Sequence, residues 1–225
     1  MSDDLTIEDY IFRLDDPNPD VRLYAAWKLG RYRNGSIVPP LIAALVDGDS
    51  AVRARVAESL GNIRDERAVQ PLIDIITDAD YKVRLQVVAS LGRQRDYRAS
   101  ECIADCLQDE SVEVRSAAAE ALGVILDMGA IEPLVNTIFN DEDKDVRYYA
   151  SRSLGELGGA ATVDALLAAL EGDVTLSAKV YSAEILGSLY DKRAAQALRK
   201  LAQDEDETVS GTAKWALKQI RVDDQ

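Results

Sequence analysis

The stretch Asp78–Gly92, "DADYKVRLQVVASLG", decides the fold. Thirty-one residues earlier the chain reads "DGDSAVRARVAESLG", and thirty-one later "DESVEVRSAAAEALG". Aligned on the Val-Arg dipeptide, the anchors are Val21, Val52, Val83, Val114, Val146, the degenerate Ala178, and Val209, at steps of 31, 31, 31, 32, 32 and 31. A fixed period in this range means stacked supersecondary units, each completing the core of the next. Within a unit, Val83, Val87 and Leu91 fall at i, i+4 and i+8, one apolar stripe of a helix; Val52/Val56/Leu60 and Val114/Ala118/Leu122 repeat it.

A glycine follows each stripe (Gly30, Gly61, Gly92, Gly123, Gly155, Gly187), where it is expected to end the helix in a left-handed turn. A second apolar segment comes next, as in "RAVQPLIDIIT" and "GAIEPLVNTIF". Pro71 and Pro133 stand in its first turn, where proline removes no intrahelical bond. Each unit therefore reads as a hairpin: helix A, a short turn, helix B. Three residues before the anchors stand Asn18, Asp49, Asp80, Ser111, Asp143, Thr175 and Asp206, all good N-caps for helix A. Five residues before them stand Asp16, Asp47, Asp78, Asp109, Asp141, Asp173 and Asp204. One residue after them come Arg22, Arg53, Arg84, Arg115, Arg147, Lys179 and Ser210. A loop acid and a helix base kept at one register predict a charge ladder joining neighbouring repeats, a structural device because a functional site would not be written at every repeat.

The expected fold is all-α, a right-handed α-solenoid of six to seven hairpins with terminal caps. Residues 1–15 hold a capping helix, 16–205 six hairpins, and 206–225 a C-terminal capping helix with a polar outer face from Lys214, Lys218 and Arg221. No linker or domain boundary is apparent, and the loosest turn is at Gly158-Gly159, a hinge candidate.

The 225 residues are 47% hydrophobic and 29% charged, a folded composition. The net charge of −14 disfavours phosphate backbones and anionic lipid heads, so neither nucleic acid nor membrane is an expected partner. The acidic start lacks the features of a secretory signal, and no apolar run approaches the ~18 residues that span a bilayer. The reading is a soluble cytoplasmic protein. With no histidine, a Ser-His-Asp triad, a Cys-His pair and a His-bearing zinc site are all excluded. No phosphate-binding glycine loop is present, and no cofactor or metal is read. The role leans to non-catalytic.

The pattern D-x-D-x-x-V-R-x-x-A-A-x-x-L-G followed by D-x-R-A-V-x-P-L-I, clearest in Asp47–Thr77, resembles a HEAT repeat, and more narrowly the short HEAT-like units of the phycobilisome-lyase type. The resemblance implies a surface that grips another protein, with helix B segments lining the concave wall. One HEAT-like branch, the deoxyhypusine hydroxylases, holds iron through His-Glu pairs, which this chain cannot supply. The bilin lyase branch grips a light-harvesting protein and its tetrapyrrole, and no motif decides for or against it.

Three surfaces are candidate sites. On the polar side of successive B helices stand Arg67, Gln70, Asp74, Arg98, Glu101, Asp105, Glu132, Asn136 and Asp164, an acidic column suited to a basic or polar segment of a partner protein, or else a merely solvated wall. On A helices, Tyr148, Tyr149 and Tyr181 lie off the apolar stripe, with Tyr24 and Trp27 similarly placed on the first. These are anchors for a partner or packing between helices. Cys102 and Cys106, at i and i+4, are core filler or a thiol pair for redox or metal handling. The leading function is a non-catalytic protein-binding scaffold or assembly factor; the alternative is a bilin lyase or chromophore-handling subunit acting on a phycobiliprotein.

Overall fold

The structure is a computed structural model that describes residues 5–32, 34–172 and 174–221. Every regular element among them is helical: α1 Ile7–Phe12, α2 Pro19–Leu29, α3 Val38–Ala43, α4 Ser50–Ile63, α5 Val69–Asp74, α6 Tyr81–Gln94, α7 Ser100–Asp105, α8 Val112–Ile125, α9 Ile131–Asn140, α10 Lys144–Leu157, α11 Gly159–Ala169, α12 Leu176–Ser188, α13 Ala195–Leu201 and α14 Glu207–Gln219. The fold is an α-solenoid of helical hairpins. No described helix is long and apolar enough to cross a membrane.

The chain forms two compact units, 1–125 and 126–225. In the first, α1 packs on α2, the hairpins α2/α3, α4/α5 and α6/α7 follow one another, and α8 comes last, with α2, α4, α6 and α8 packed side by side. The second holds α9, the hairpins α10/α11 and α12/α13, and α14, which packs on both α12 and α13. The predicted stripes are the core: Val52, Val56 and Leu60, Val83, Val87 and Leu91, and Val114, Ala118 and Leu122 are all wholly buried. Burying each leucine stabilises by roughly 1.5–3 kcal/mol.

The start of every A helix is set by the residues the sequence marks. Asn18, Asp49, Asp80, Asp143, Thr175 and Asp206 accept from the first-turn amides, and Ser111 Oγ accepts from the Val114 amide. A second cap series precedes the B helices. Asn34, Asp65, Asp96, Asp127 and Asp191 each accept from the amide two residues on and open a short 3₁₀ turn.

The charge ladder is present, with a sharper geometry than spacing alone conveys. Arg53 Nε and Nη2 donate to the two carboxylate oxygens of Asp78 in the next repeat at 2.7 and 2.8 Å, while Nη1 donates to the carbonyl of Asp47 in its own repeat at 2.8 Å. Arg22 does the same to Asp47 and the Asp16 carbonyl, and Arg84 to Asp109 and the Asp78 carbonyl. Thus Arg84 meets Asp78 only at its backbone; the carboxylate it neutralises is the following one. In the second unit Lys179 reaches Asp204 at 2.7 Å. Each of these aspartates also accepts the amide of the N-cap residue two positions on, so one carboxylate orients both the guanidinium and the helix start. Asp173, the loop acid one repeat before Asp204, lies outside the described residues.

The glycines depart from expectation. Gly30 is right-handed at φ −61°, Gly61 and Gly92 lie inside α4 and α6, and the left-handed positions come later, at Arg64, Arg95, Leu126 and Tyr190 with φ between 55° and 63°. What the glycines provide is close approach between A helices. A Cβ on Gly30 would lie 2.4 Å from Ser59 Oγ, one on Gly61 2.4 Å from Ser90 Oγ, one on Gly92 2.9 Å from Ala121 Cβ and one on Gly187 2.7 Å from Ala216 Cβ. The two serines use that proximity to donate to the Ala26 and Ala57 carbonyls at 2.9 and 2.8 Å. Gly155 is different: nothing lies within 4 Å of its would-be Cβ, and Ile185 stands where the other repeats place Ser59, Ser90, Ala121 and Ala216. Gly158 adopts φ 57°, ψ −157°, which only glycine accepts readily, and Thr162 Oγ1 ties its carbonyl at 2.6 Å.

Gly61→Ala is expected to destabilise by about 1–3 kcal/mol because Ser90 has no room to yield, whereas Gly155→Ala, in open space within a helix, is expected to stabilise by about 0.5–1 kcal/mol; urea melts of the two variants measure both. Arg84→Ala removes the partner of a carboxylate whose side chain, like the arginine's, is only 10% exposed, and is expected to cost about 3 kcal/mol. The ladder also sets an acid response. Arg22 holds the Asp47 carboxyl, and Arg53 the Asp78 carboxyl, below the usual range; for Asp109, burial pushes upward most strongly but is outweighed by the hydrogen bonds from Arg84 and the Ser111 amide together with the charges of Arg84 and Arg115. Groups depressed in the folded state contribute fully above the unfolded value of about 3.9 and lose that contribution as pH falls through their folded values. Stability is therefore expected to hold from these groups down to about pH 5 and to fall below about pH 4, less steeply in Arg84→Ala.

Candidate functional site

The nine residues of the predicted B-helix wall are all exposed. In the first unit, Arg67, Gln70 and Asp74 stand on the turn before α5 and on α5, and Arg98, Glu101 and Asp105 on the turn before α7 and on α7. The arginines are not free. Arg67 folds back on Asp65 at 2.6 Å and also donates to the Gly35 carbonyl of the preceding repeat, and Arg98 folds back on Asp96 at 2.5 Å. These pairs hold the Asp65 and Asp96 carboxyls below the ordinary range. The capping aspartates were the part of the wall that spacing did not single out, although the recurring D-x-R ahead of helix B carries the signal. Asp74 accepts from Gln70 Nε2 at 2.8 Å. Glu101 and Asp105 have no counter-ion among the described residues. The wall of the first unit is thus acidic in effect: its two bases are neutralised locally and its acids are left facing water.

In the second unit Glu132 and Asn136 are exposed on α9 and Asp164 on α11. Asn136 accepts from Asn140 at 2.7 Å, and Asp164 is bridged by Arg193 of the next repeat. Arg193 is itself paired with Asp191. Asp164 is therefore compensated, and Glu132 is the acid of this unit's wall without a counter-ion among the described residues.

The second surface lies on A helices. Tyr148, half exposed, meets Tyr149 edge to face with ring centroids 5.6 Å apart. Tyr148 and Tyr181 line a groove of about 670 Å³ along α10, α12 and α14, and Tyr149 stands outside it. Its other walls are Ser151, Arg152, Gly155, Glu184, Ile185, Ser188, Gly211, Thr212 and Trp215. The groove opens at the step where Gly155 meets no neighbour. Trp215 and Glu184 escaped the sequence reading because they join the tyrosines only through the stacking of α10, α12 and α14. The first-repeat aromatics form a separate cluster. Tyr10, Tyr24 and Trp27 meet at tilted angles with ring centroids 6.2 and 5.6 Å apart, with Lys28 over both Tyr24 and Trp27 and Arg31 over Trp27.

The cysteines are built as filler. Cys102 and Cys106 are free thiols, and each donates along the helix, to the Ala99 carbonyl at 3.1 Å and the Cys102 carbonyl at 3.3 Å. Burial pushes the Cys106 thiol up to about 12, and Cys102 is raised by the same cause. A thiol that stays protonated is neither a ready nucleophile nor a ready ligand.

Comparison with known proteins accords with this geometry. The family of HEAT repeats matches residues 7–81, 69–136 and 113–176. The chain belongs to the HEAT-repeat family. A chain of the complex of CpcE and CpcF of phycocyanin lyase from Nostoc sp. PCC7120 is 27% identical, with a TM-score of 0.62 over 96% of this HEAT-repeat chain and 87% of that one. Two further structures share the fold. Kap95p, solved with RanGDP, has a TM-score of 0.74 at 14% identity over 95% of this chain and 34% of its own. A designed armadillo repeat protein in complex with the peptide (KR)4 has a TM-score of 0.56 at 19% identity over 96% of this chain and 100% of its own. Comparison with curated proteins gives no match.

Proposed function

We propose that this HEAT-repeat chain is a non-catalytic scaffold or assembly factor that grips a protein partner through the B-helix wall, taking a basic or polar segment. The observation that carries the reading is the contrast in pairing. The loop acids Asp47, Asp78 and Asp109 and the capping acids Asp65, Asp96 and Asp191 are neutralised by arginine, whereas Glu101 and Asp105 on α7, and separately Glu132 on α9, are exposed without a counter-ion among the described residues. Uncompensated acids on a regular face attract cationic segments and speed encounter. Free cysteines accord with a reducing, cytoplasmic setting.

A second reading has its own support. The likeness to the CpcE–CpcF phycocyanin lyase complex extends over nearly the whole chain, and its 27% identity is above the 14% and 19% of the other two solved structures described above. This favours a chromophore-handling subunit acting on a phycobiliprotein as the alternative. Mixing the protein with a bilin, with and without a phycobiliprotein subunit, distinguishes the two: a shift in visible absorbance that needs this chain supports the lyase reading.

For the scaffold reading, the triple change Asp74→Asn, Glu101→Gln, Asp105→Asn leaves the core untouched. It is expected to retain the fold while losing most of the proteins captured from native extract at low salt, and wild-type capture is expected to weaken as ionic strength rises past about 0.15 M. Equal capture by wild type and variant at low salt would make the wall merely solvated.

A further inference from the structure

The groove along α10, α12 and α14 combines three aromatic side chains with one carboxylate in an arrangement found nowhere else on the described surface. Tyr148 and Trp215 are each about half exposed, although a monomeric surface gains nothing from presenting them. Trp215 is backed by Gly187, whose would-be Cβ lies 3.0 Å from its ring. Gly155 and Gly211 have no atom within 4 Å of a would-be Cβ, so along the groove backbone is bare where any side chain would narrow it.

The charges are complementary to something not supplied by the groove itself. Elsewhere three exposed aromatics, Tyr24, Trp27 and Tyr81, carry their own cations. Lys28 lies 5.3 Å from the Tyr24 ring centre and 5.2 Å from that of Trp27, Arg31 lies 5.2 Å from Trp27, and Lys82 lies 6.0 Å from Tyr81. No described cation lies over Tyr148, Tyr181 or Trp215. The cation of the groove, Arg152, is engaged by Glu156 at 3.3 Å. Glu184 has neither an ion pair nor a hydrogen bond from its side chain among the described residues. Although the residue is exposed, burial of its carboxyl pushes that group above the ordinary glutamate range. An incoming positive charge would relieve that penalty, and the aromatic faces would add cation–π attraction.

We infer that this groove is a binding site for an arginine side chain presented by a partner protein, the guanidinium pairing with Glu184 and lying against Tyr148, Tyr181 or Trp215. Arginine fits better than lysine because its planar, weakly hydrated head stacks on aromatic rings while still forking onto a carboxylate. The volume of about 670 Å³ accommodates the side chain with its flanking backbone. This site is separate from the acidic B-helix wall and stands or falls independently of it.

The chain has two tryptophans, so Trp27→Phe leaves Trp215 as the sole indole reporter. In that background, a blocked Gly-Arg-Gly peptide is expected to change Trp215 fluorescence saturably, while the citrulline peptide, the same shape without charge, is expected to give no saturable change. Glu184→Gln should weaken the arginine peptide by about tenfold, the scale of one charge-assisted hydrogen bond. Asp74→Asn with Glu101→Gln and Asp105→Asn should leave the signal intact, which separates this site from the wall. Circular dichroism establishes that each variant is folded. Equal responses to arginine and citrulline, no saturable response up to about 10 mM, or a response unchanged by Glu184→Gln would overturn the assignment.

Discussion

The clamp that Arg22, Arg53 and Arg84 each make between neighbouring repeats is the interaction on which the rest depends. Arg53 grips the carboxylate of Asp78 and the carbonyl of Asp47 at once, so it fixes the next repeat's loop against its own. Asp78 in turn holds the amide of Asp80, which caps α6. Position, loop conformation and helix start are thereby set by a single carboxylate. Bidentate geometry and partial burial make this stronger than an ordinary surface pair. The close approach at Gly61 and Ser90 follows, because neighbouring A helices held in register by the clamp meet at one small residue on each side.

Both proposed binding surfaces lie where this regularity is left unused or relaxed. On the B helices the repeat neutralises its arginines through their own capping aspartates and leaves acids such as Glu101 facing water. On the A helices of the second unit, Ile185 replaces a small residue and a groove opens beside Gly155. Both features arise without disturbing the buried stripes, since the stripes occupy a different face of each helix. Surfaces of a repeat protein can therefore diversify while its core stays constant.

Most of the architecture was legible in the sequence because it is written several times over. Periodicity placed the hairpins, the polar residues three before the anchors marked the helix starts, and the Asp and Arg columns announced the ladder. The glycines were misread because glycine serves both left-handed turns and close packing. Only the neighbouring helix, absent from a linear reading, shows that Ser59 and Ser90 demand the second role. The exposed B-helix wall was legible from helical spacing, but the neutralisation of Arg67 by Asp65 was not, because rotamers that fold back depend on three-dimensional placement. The groove lay beyond reach for a related reason. Tyr148 and Tyr181 could be seen, but Glu184 and Trp215 join them only through the stacking of α10, α12 and α14.

The central claim is that each repeat is held by contacts that its neighbour supplies in identical register. Deleting residues 78–108, one whole period, tests it most directly. The deletion brings Asp109 to the place of Asp78 before Arg53 and Ala121 to the place of Ser90 before Gly61, so clamp and close contact are both rebuilt. The shortened chain is expected to keep native-like helical circular dichroism and a cooperative urea transition, whereas deleting 78–94 alone, which removes α6 and leaves α7, is expected to abolish the transition. An unfolded whole-period deletion beside a cooperatively folded partial one would contradict the account.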